Sequence, residues 1–266
     1  MTSVIGFCAI LLTHSMWRAG LHEYFVKVAA LSCALALAVW FTRAGTVGAA
    51  LTGALFAASI AMGTAAPSRN ILFHPAIPGS LALFLLTTAA TRFRRADKIN
   101  LGLAESSSRR TAAQVVANLG TAAVFAAMAG QTENYAFHPA MLAGVVAALA
   151  EATADTLASE LGETFPGPVV MITTWQSVPP GTDGGITAKG TAAGLIGASF
   201  VVLVCALAIQ FSLHTAVAAL LAATAGLFID SLLGATLETR GYIGNDAVNF
   251  ISTLASAFIA AALMLI

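Results

Sequence analysis

In "EATADTLASE" the residues Glu151, Asp155 and Ser159 recur at i, i+4 and i+8, so one helix face carries two carboxylates a turn apart. Two like charges at that spacing repel. A hard divalent cation such as Mg²⁺, which takes carboxylate oxygens, would remove the repulsion. The plainer alternative is a helix end whose acids face water or pair with Arg109, Arg110 or Lys189. In "IDSLLGATLE", Asp230, Gly234 and Glu238 share a face, and Gly234 lets another backbone or a ligand come close. In "NDAVNFIST", Asp246, Asn249 and Thr253 share a face. Capping of a helix start would explain Asn245 and Asp246. It does not explain Asn249, one turn further in. Asn118 is a lone amide in an apolar run, suited to an interhelical hydrogen bond or to a ligand. These residues predict a Mg²⁺ site built on Asp155 and Asp230 and completed by Glu151, Asp183 or Asp246.

A second kind of chemistry is written in "TTWQSVPPGTDGGITAKG". Two prolines stiffen one side of this stretch. The glycines free the other side to take positive φ and to expose backbone N–H groups. Free N–H groups at a helix start bind anions. The next helix is predicted to begin near Thr187, with Lys189 supplying positive charge. Gly181, Thr182, Asp183, Gly184 and Gly185 therefore make a candidate phosphate loop, and Arg109 and Arg110 could hold further phosphate oxygens. The GxxxxGK[ST] pattern of a Walker loop is absent. A plain connecting turn is the competing account.

These groups need a scaffold, and composition says which. The 266-residue chain is 58% hydrophobic and only 9% charged, with zero formal net charge. Its mean hydropathy is +0.87. Apolar runs of about 20 residues recur, long enough to cross a hydrocarbon core of about 30 Å. The predicted fold is all-α: a polytopic transmembrane protein of about nine spans forming a single domain over 1–266. The spans fall at 3–17, 24–41, 45–63, 71–91, 111–130, 139–159, 188–211, 215–237 and 246–266. The first is short. It lacks the basic start and small-residue cleavage site of a signal peptide. Neutral net charge excludes a nucleic-acid partner on bulk electrostatics. The oligomeric state is left open.

Half of all the lysines and arginines sit in 92–110. Short basic loops stay in the cytoplasm. Span parity then brings the basic loop, the glycine loop and the segment 238–245 to the cytoplasmic face, with the N-terminus also inside. The expected location is the inner, cytoplasmic membrane. A carboxylate at mid-bilayer costs about 3 kcal/mol on insertion scales, so acids near these helix ends want a purpose.

Four segments together resemble a known family: "GLAESSSRRTAAQVVANLG", "ATADTLASELG", "VPPGTDGGITAKGTAAGLIGA", and "FIDSLLGATLE" followed by "NDAVNFISTLAS". They are similar to the integral membrane family that includes phytyl-phosphate kinase of tocopherol synthesis, many of whose members have no known function. The resemblance covers 92–266, whereas 1–91 shows only a hydrophobic pattern. Its motif positions here are Arg109, Arg110, Asn118, Asp155, Glu160, Gly181, Asp183, Gly184, Asp230, Asp246 and Asn249. The resemblance implies phosphoryl transfer from a nucleoside triphosphate to a prenyl monophosphate. On that reading Asp155, Asp230 and Lys189 act in catalysis. Arg109, Arg110, Asn118, Asn249 and residues 181–185 hold phosphates. The partners are the prenyl phosphate, the nucleotide and membrane lipids.

Two other functions use the same residues. An ion-coupled lipid transporter or flippase also needs intramembrane acids beside small residues, but near the midplane and reached from both sides. A nucleotidyltransferase acting on a lipid phosphate would use the same metal and release pyrophosphate.

Overall fold

The computed structural model describes Gly6, Ile10 and residues 22–64, 76–103, 109–132, 137–165 and 167–266. Apart from Gly6 and Ile10, the predicted span at 3–17 lies outside the described residues, as do 104–108 of the basic loop. The other eight predicted spans are all helices. They are α1 (His22–Phe41), α2 (Val47–Gly63), α3 (Ile77–Arg92), α5 (Ala112–Gln131), α6 (Phe137–Gly162), α7 (Ala188–Ile209), α8 (Leu213–Leu233) and α9 (Asn245–Leu263). Six of them, all but α2 and α3, are long and apolar enough to cross a membrane by length and composition. A short helix, α4 (Arg95–Asn100), occupies the basic loop.

The helices enclose α6. Its apolar window is 94% buried, against 33–39% for α7 and α8. Alanine explains how so many helices reach one neighbour. From Ala140 to Ala154, α6 is largely Ala, Gly and Val, and small side chains let backbones approach. Glycines do the same from α7. A methyl group on Gly190 would lie 2.4 Å from the Ala158 carbonyl oxygen, and one on Gly194 would lie 2.7 Å from that of Ala154. The C-terminal end of α6 and the start of α7 are thereby held side by side. Thr187 caps α7, its hydroxyl accepting from Gly190 N at 2.9 Å.

The connection between α6 and α7 is the glycine-rich stretch. It is not helical, as its prolines and glycines predict. It forms a two-stranded antiparallel ribbon, β1 (Val170–Met171) on β2 (Gly185–Ile186), with Val170 opposite Ile186. Gly181 and Gly184 take φ of +79° and +76°, the left-handed conformation that glycine permits at little cost. Helix α8 does not stop at Leu233. It widens into one π turn, Gly234–Glu238, before the chain turns toward α9. Single π turns inside helices are frequent at functional sites.

Candidate functional site

The glycine loop is seated closely, against Ala235 at Gly184 and against the Leu103 side chain at Gly181. A Cβ on Gly184 would fall 2.5 Å from Ala235 N and 2.6 Å from Ala235 Cα. One on Gly234 would fall 2.9 Å from Gly184 N. The close approach predicted at Gly234 is therefore the loop itself, pressed against the π turn. The loop's internal bonds run from Gly185 N to Thr182 O at 2.8 Å and from Ile172 N to Gly184 O at 3.1 Å.

Beneath the loop lies a cavity of about 430 Å³, within the size range of small-molecule sites. Its walls include Asp155 and Glu160 of α6, Asp230 of α8, Glu238 of the π turn and the loop residues Gly181 to Gly185. Asp155 and Asp230 face each other within hydrogen-bonding reach. Asp230 Oδ2 accepts from Ser252 Oγ at 3.1 Å, which fixes its orientation from α9. On the other side of Asp155 is a smaller pocket of about 90 Å³, lined by Arg110, Gln114, Asn118, Asn245 and Asn249 among others. Asn249 Nδ2 donates to Asn118 Oδ1 at 3.4 Å, so the bland role predicted for Asn118 is filled, on a pocket wall. The backbone of Arg110 is pinned by two 3.0 Å bonds to the segment between α1 and α2: Arg110 N to Ala44 O and Thr46 N to Arg110 O. Asp155 thus stands between a glycine-loop cavity and an arginine–amide pocket.

The five predicted metal-binding acids do not all meet. Asp155 and Asp230 do. Asp183 sits on the exposed loop at the rim of the larger cavity. Glu151 lies one turn deeper on α6, fully buried, and neither carboxylate oxygen has a hydrogen-bond partner among the described residues. Its stem packs on Gly226, where a Cβ would come within 2.6 Å of Glu151 Cγ. Asp246 is exposed and lines neither cavity. The inward face of α9 is Asn245, Asn249, Ser252 and Ser256, and one residue of helix turns a side chain by about 100°. The cap of α9 is Gly244, not Asn245. Among the described residues no three His, Cys, Asp or Glu side chains converge as a metal cage. Two facing carboxylates with a third unpaired below still suit Mg²⁺. That ion keeps several waters and often takes only one or two carboxylates, with substrate phosphates supplying the rest.

Two predicted basic groups also stand apart. Lys189 is exposed in the first turn of α7 and Arg109 is exposed before α5, and neither lines either of these two cavities. Cations that sequence reasoning missed take their place on the wall of the larger cavity: Arg95 and Lys98, both on α4. Lys98 is 2% exposed. Its Nζ donates to the Ala90 carbonyl at 3.2 Å, in the last turn of α3, and forms an ion pair with Glu160. The missed signal was a lysine following an apolar helix end, where unpaired carbonyls await a donor. Lys98→Met should leave Glu160 and those carbonyls unpaired and destabilise the protein by about 2–3 kcal/mol, less than a fully buried pair because Glu160 is partly exposed. Thermal unfolding in detergent should fall by about 5–10 °C. Adding Glu160→Gln should recover part of the loss.

The polar seam continues inward from the site. Thr253 Oγ1 donates to Ala117 O at 3.3 Å and contacts Thr121 Oγ1 at 3.2 Å, and Ser256 Oγ donates to Ala147 O at 3.2 Å. These bonds hold α9 to α5 and α6 and so set where Asn249 and Ser252 point.

Comparison with known proteins agrees with this membrane architecture. No solved structure matches the chain. The uncharacterized membrane protein sll0875 of Synechocystis is 32% identical over 182 residues, 68% of this chain and 70% of that protein. The uncharacterized membrane protein MJ0933 of Methanocaldococcus jannaschii is 38% identical over 122 residues, 44% of this chain and 49% of its own length. The chloroplastic protein VTE6 of Arabidopsis thaliana is 28% identical over 184 residues, 67% of this chain and 55% of that protein. The matched segments thus span about half the length of two of these relatives. The model of the integral membrane protein family DUF92 matches residues 28–257, and the chain belongs to that family.

Proposed function

We propose that the protein is a prenyl-phosphate kinase, transferring the γ-phosphoryl group of a nucleoside triphosphate to a phytyl-like monophosphate at the cytoplasmic face of the inner membrane. The observation that carries this reading is the opposed pair Asp155 and Asp230, set between the glycine loop and the arginine–amide pocket. The family resemblance noted in the sequence supports it. Mg²⁺, held by Asp155 and Asp230, would supply charge neutralisation for the phosphates. Phosphoryl transfer asks a protein mainly for positioning and electrostatics. The attacking oxygen belongs to the acceptor phosphate and is already ionised, so no general base is required. It bonds to the γ-phosphorus, the bond from that phosphorus to the β,γ-bridging oxygen breaks, and the nucleoside diphosphate leaves with the electron pair. The loop residues 181–185 sit at the mouth of the cavity, where a nucleotide enters from water. Arg110 faces Asp155 from the opposite side, placed to balance charge on the transferred group. Ser252 keeps the Asp230 carboxylate turned toward Asp155.

The test is product mass. The purified protein in lipid is incubated with Mg²⁺, several nucleoside triphosphates and a panel of prenyl monophosphates. The expected product is the prenyl diphosphate. A nucleotide-linked lipid with pyrophosphate release would replace this reading by a nucleotidyltransferase, and an unchanged lipid would remove both. The sidedness has its own check. Single cysteines at Thr182 and Asn245 should be labelled by an impermeant maleimide only after the cytoplasmic face is opened. Labelling of Thr182→Cys in intact cells would reverse the topology.

A further inference from the structure

One wall of the larger cavity differs from the rest. Where α8 passes it, the lining is Leu227, Phe228, Asp230 and Ser231, and α7 adds Thr191. Phe228 has a second affiliation. The exposed large apolar side chains of α8 are Leu213, Val217, Leu221 and Leu232. At about 100° per residue these fall in one row, and half-buried Phe228 lies in the middle of it, about 20° from Val217 and about 40° from Leu232. An exposed apolar row on a helix that can cross the membrane faces acyl chains. Phe228 therefore has the cavity on one side and lipid on the other.

The exposed row of α7 is Ile196, Phe200, Leu203 and Leu207. On α7 the cavity-lining residue Thr191 lies more than about 100° from that helix's exposed apolar side chains, so the overlap of cavity wall and exposed row belongs to Phe228 of α8. Glycines 190, 194 and 197 of α7 lie against α6. The close backbone approach of α7 is to α6, and where α7 and α8 border the larger cavity they contribute Thr191 and Phe228.

We propose that the seam between α7 and α8 is a lateral opening, through which the hydrocarbon tail of a lipid phosphate passes into the bilayer while its headgroup rests at Asp155 and Asp230. The inference rests on the kinase reading only for the identity of the lipid. A polyprenyl tail has no favourable path through the polar mouth formed by Asp183 and Glu238, because every methylene prefers hydrocarbon to water. Phe228 is the side chain of this wall that also falls within the exposed apolar row of α8. Phe228 then governs access by its bulk, and is a specificity-determining residue.

The direct test needs no turnover. A prenyl monophosphate with a diazirine in its tail is photolysed with the protein in nanodiscs, without nucleotide, and adducts are mapped with and without excess unlabelled prenyl monophosphate. Competed adducts on α7 and α8 near Thr191 and Phe228 are expected. Adducts on α5 or α9 instead, uncompeted adducts on every helix, or no adduct overturn the opening. Such seam adducts in a protein that makes no diphosphate would sink the kinase reading and leave the opening standing. Diphosphate formation with adducts elsewhere would do the reverse. In an active protein, Phe228→Trp should raise KM for the prenyl monophosphate about tenfold with the nucleotide KM within about twofold, as crowding in an apolar pocket does. A parallel rise in both would mean a general distortion and would count against the opening.

Discussion

Asp230→Asn is expected to lower turnover on the order of 100- to 1,000-fold while the protein still assembles. The substitution keeps the shape of the side chain and can still accept from Ser252, so α8 and α9 stay joined. It removes one of the two carboxyl groups that face each other on the cavity wall. Asp155→Asn should match it, because each carboxylate completes the other's work, and the double variant should be little worse than either single one. The diagnostic is the Mg²⁺ dependence: activity of each single variant should need more Mg²⁺ than the parent. Glu151 is a useful contrast. It lies beneath the pair in a dry setting, and Glu151→Gln replaces a buried, unpaired carboxyl group without touching the cavity walls. Full turnover by Asp155→Asn at limiting Mg²⁺ would end the case for a metal role.

Gly184→Ala should abolish activity nearly as completely, for a different reason. Its methyl group would sit 2.4 to 2.6 Å from the backbone and side chain of Ala235, at a φ of +76° that costs a residue with a Cβ about 1–2 kcal/mol by itself. Backbone cannot yield as a flexible side chain does. The loop must lift from the π turn, carrying Thr182 and Asp183 off the cavity mouth. The helices do not depend on that contact, so helicity by circular dichroism and elution in detergent should stay as in the parent. Gly167→Ala, in the same connection but with nothing within 4 Å, should keep full activity. Normal turnover by Gly184→Ala would mean that the loop merely joins α6 to α7.

Run length in the sequence located the helices well, because an apolar stretch in lipid has little choice but to satisfy its own backbone. The run at 188–211 became Ala188–Ile209, and that at 111–130 became Ala112–Gln131. What run length does not carry is rotation. Alanine-rich helices that are apolar all round show no face, so nothing in α6 announced that it would be the enclosed helix. The same blindness put Asp246 in the site in place of Asn245, its neighbour in sequence and a third of a turn away. The acids of α6 and α8 were legible because a carboxylate in an apolar run is costly wherever it points. The lysine that closes the end of α3 was not, because a count of charges over 92–110 does not single out Lys98. The loop's glycines announce positive φ and close approach, but not that the partner of Gly184 is Ala235 of the π turn.

The enclosure of α6 also bears on how the chain is made. Synthesis runs from the N-terminus, so α6 leaves the ribosome before α7, α8 and α9 exist. It has the lowest mean hydropathy of the six spanning candidates, 1.4, and it carries Glu151 and Asp155. Gly226 and Ser252, which flank Glu151 in the finished protein, lie 75 and more residues downstream. Until they arrive, α6 is a poor guest for lipid and has reason to linger beside the insertion machinery. A chain cut after α7 would strand that carboxylate against acyl chains, and the membrane's quality-control proteases should clear it faster than a chain cut before α6.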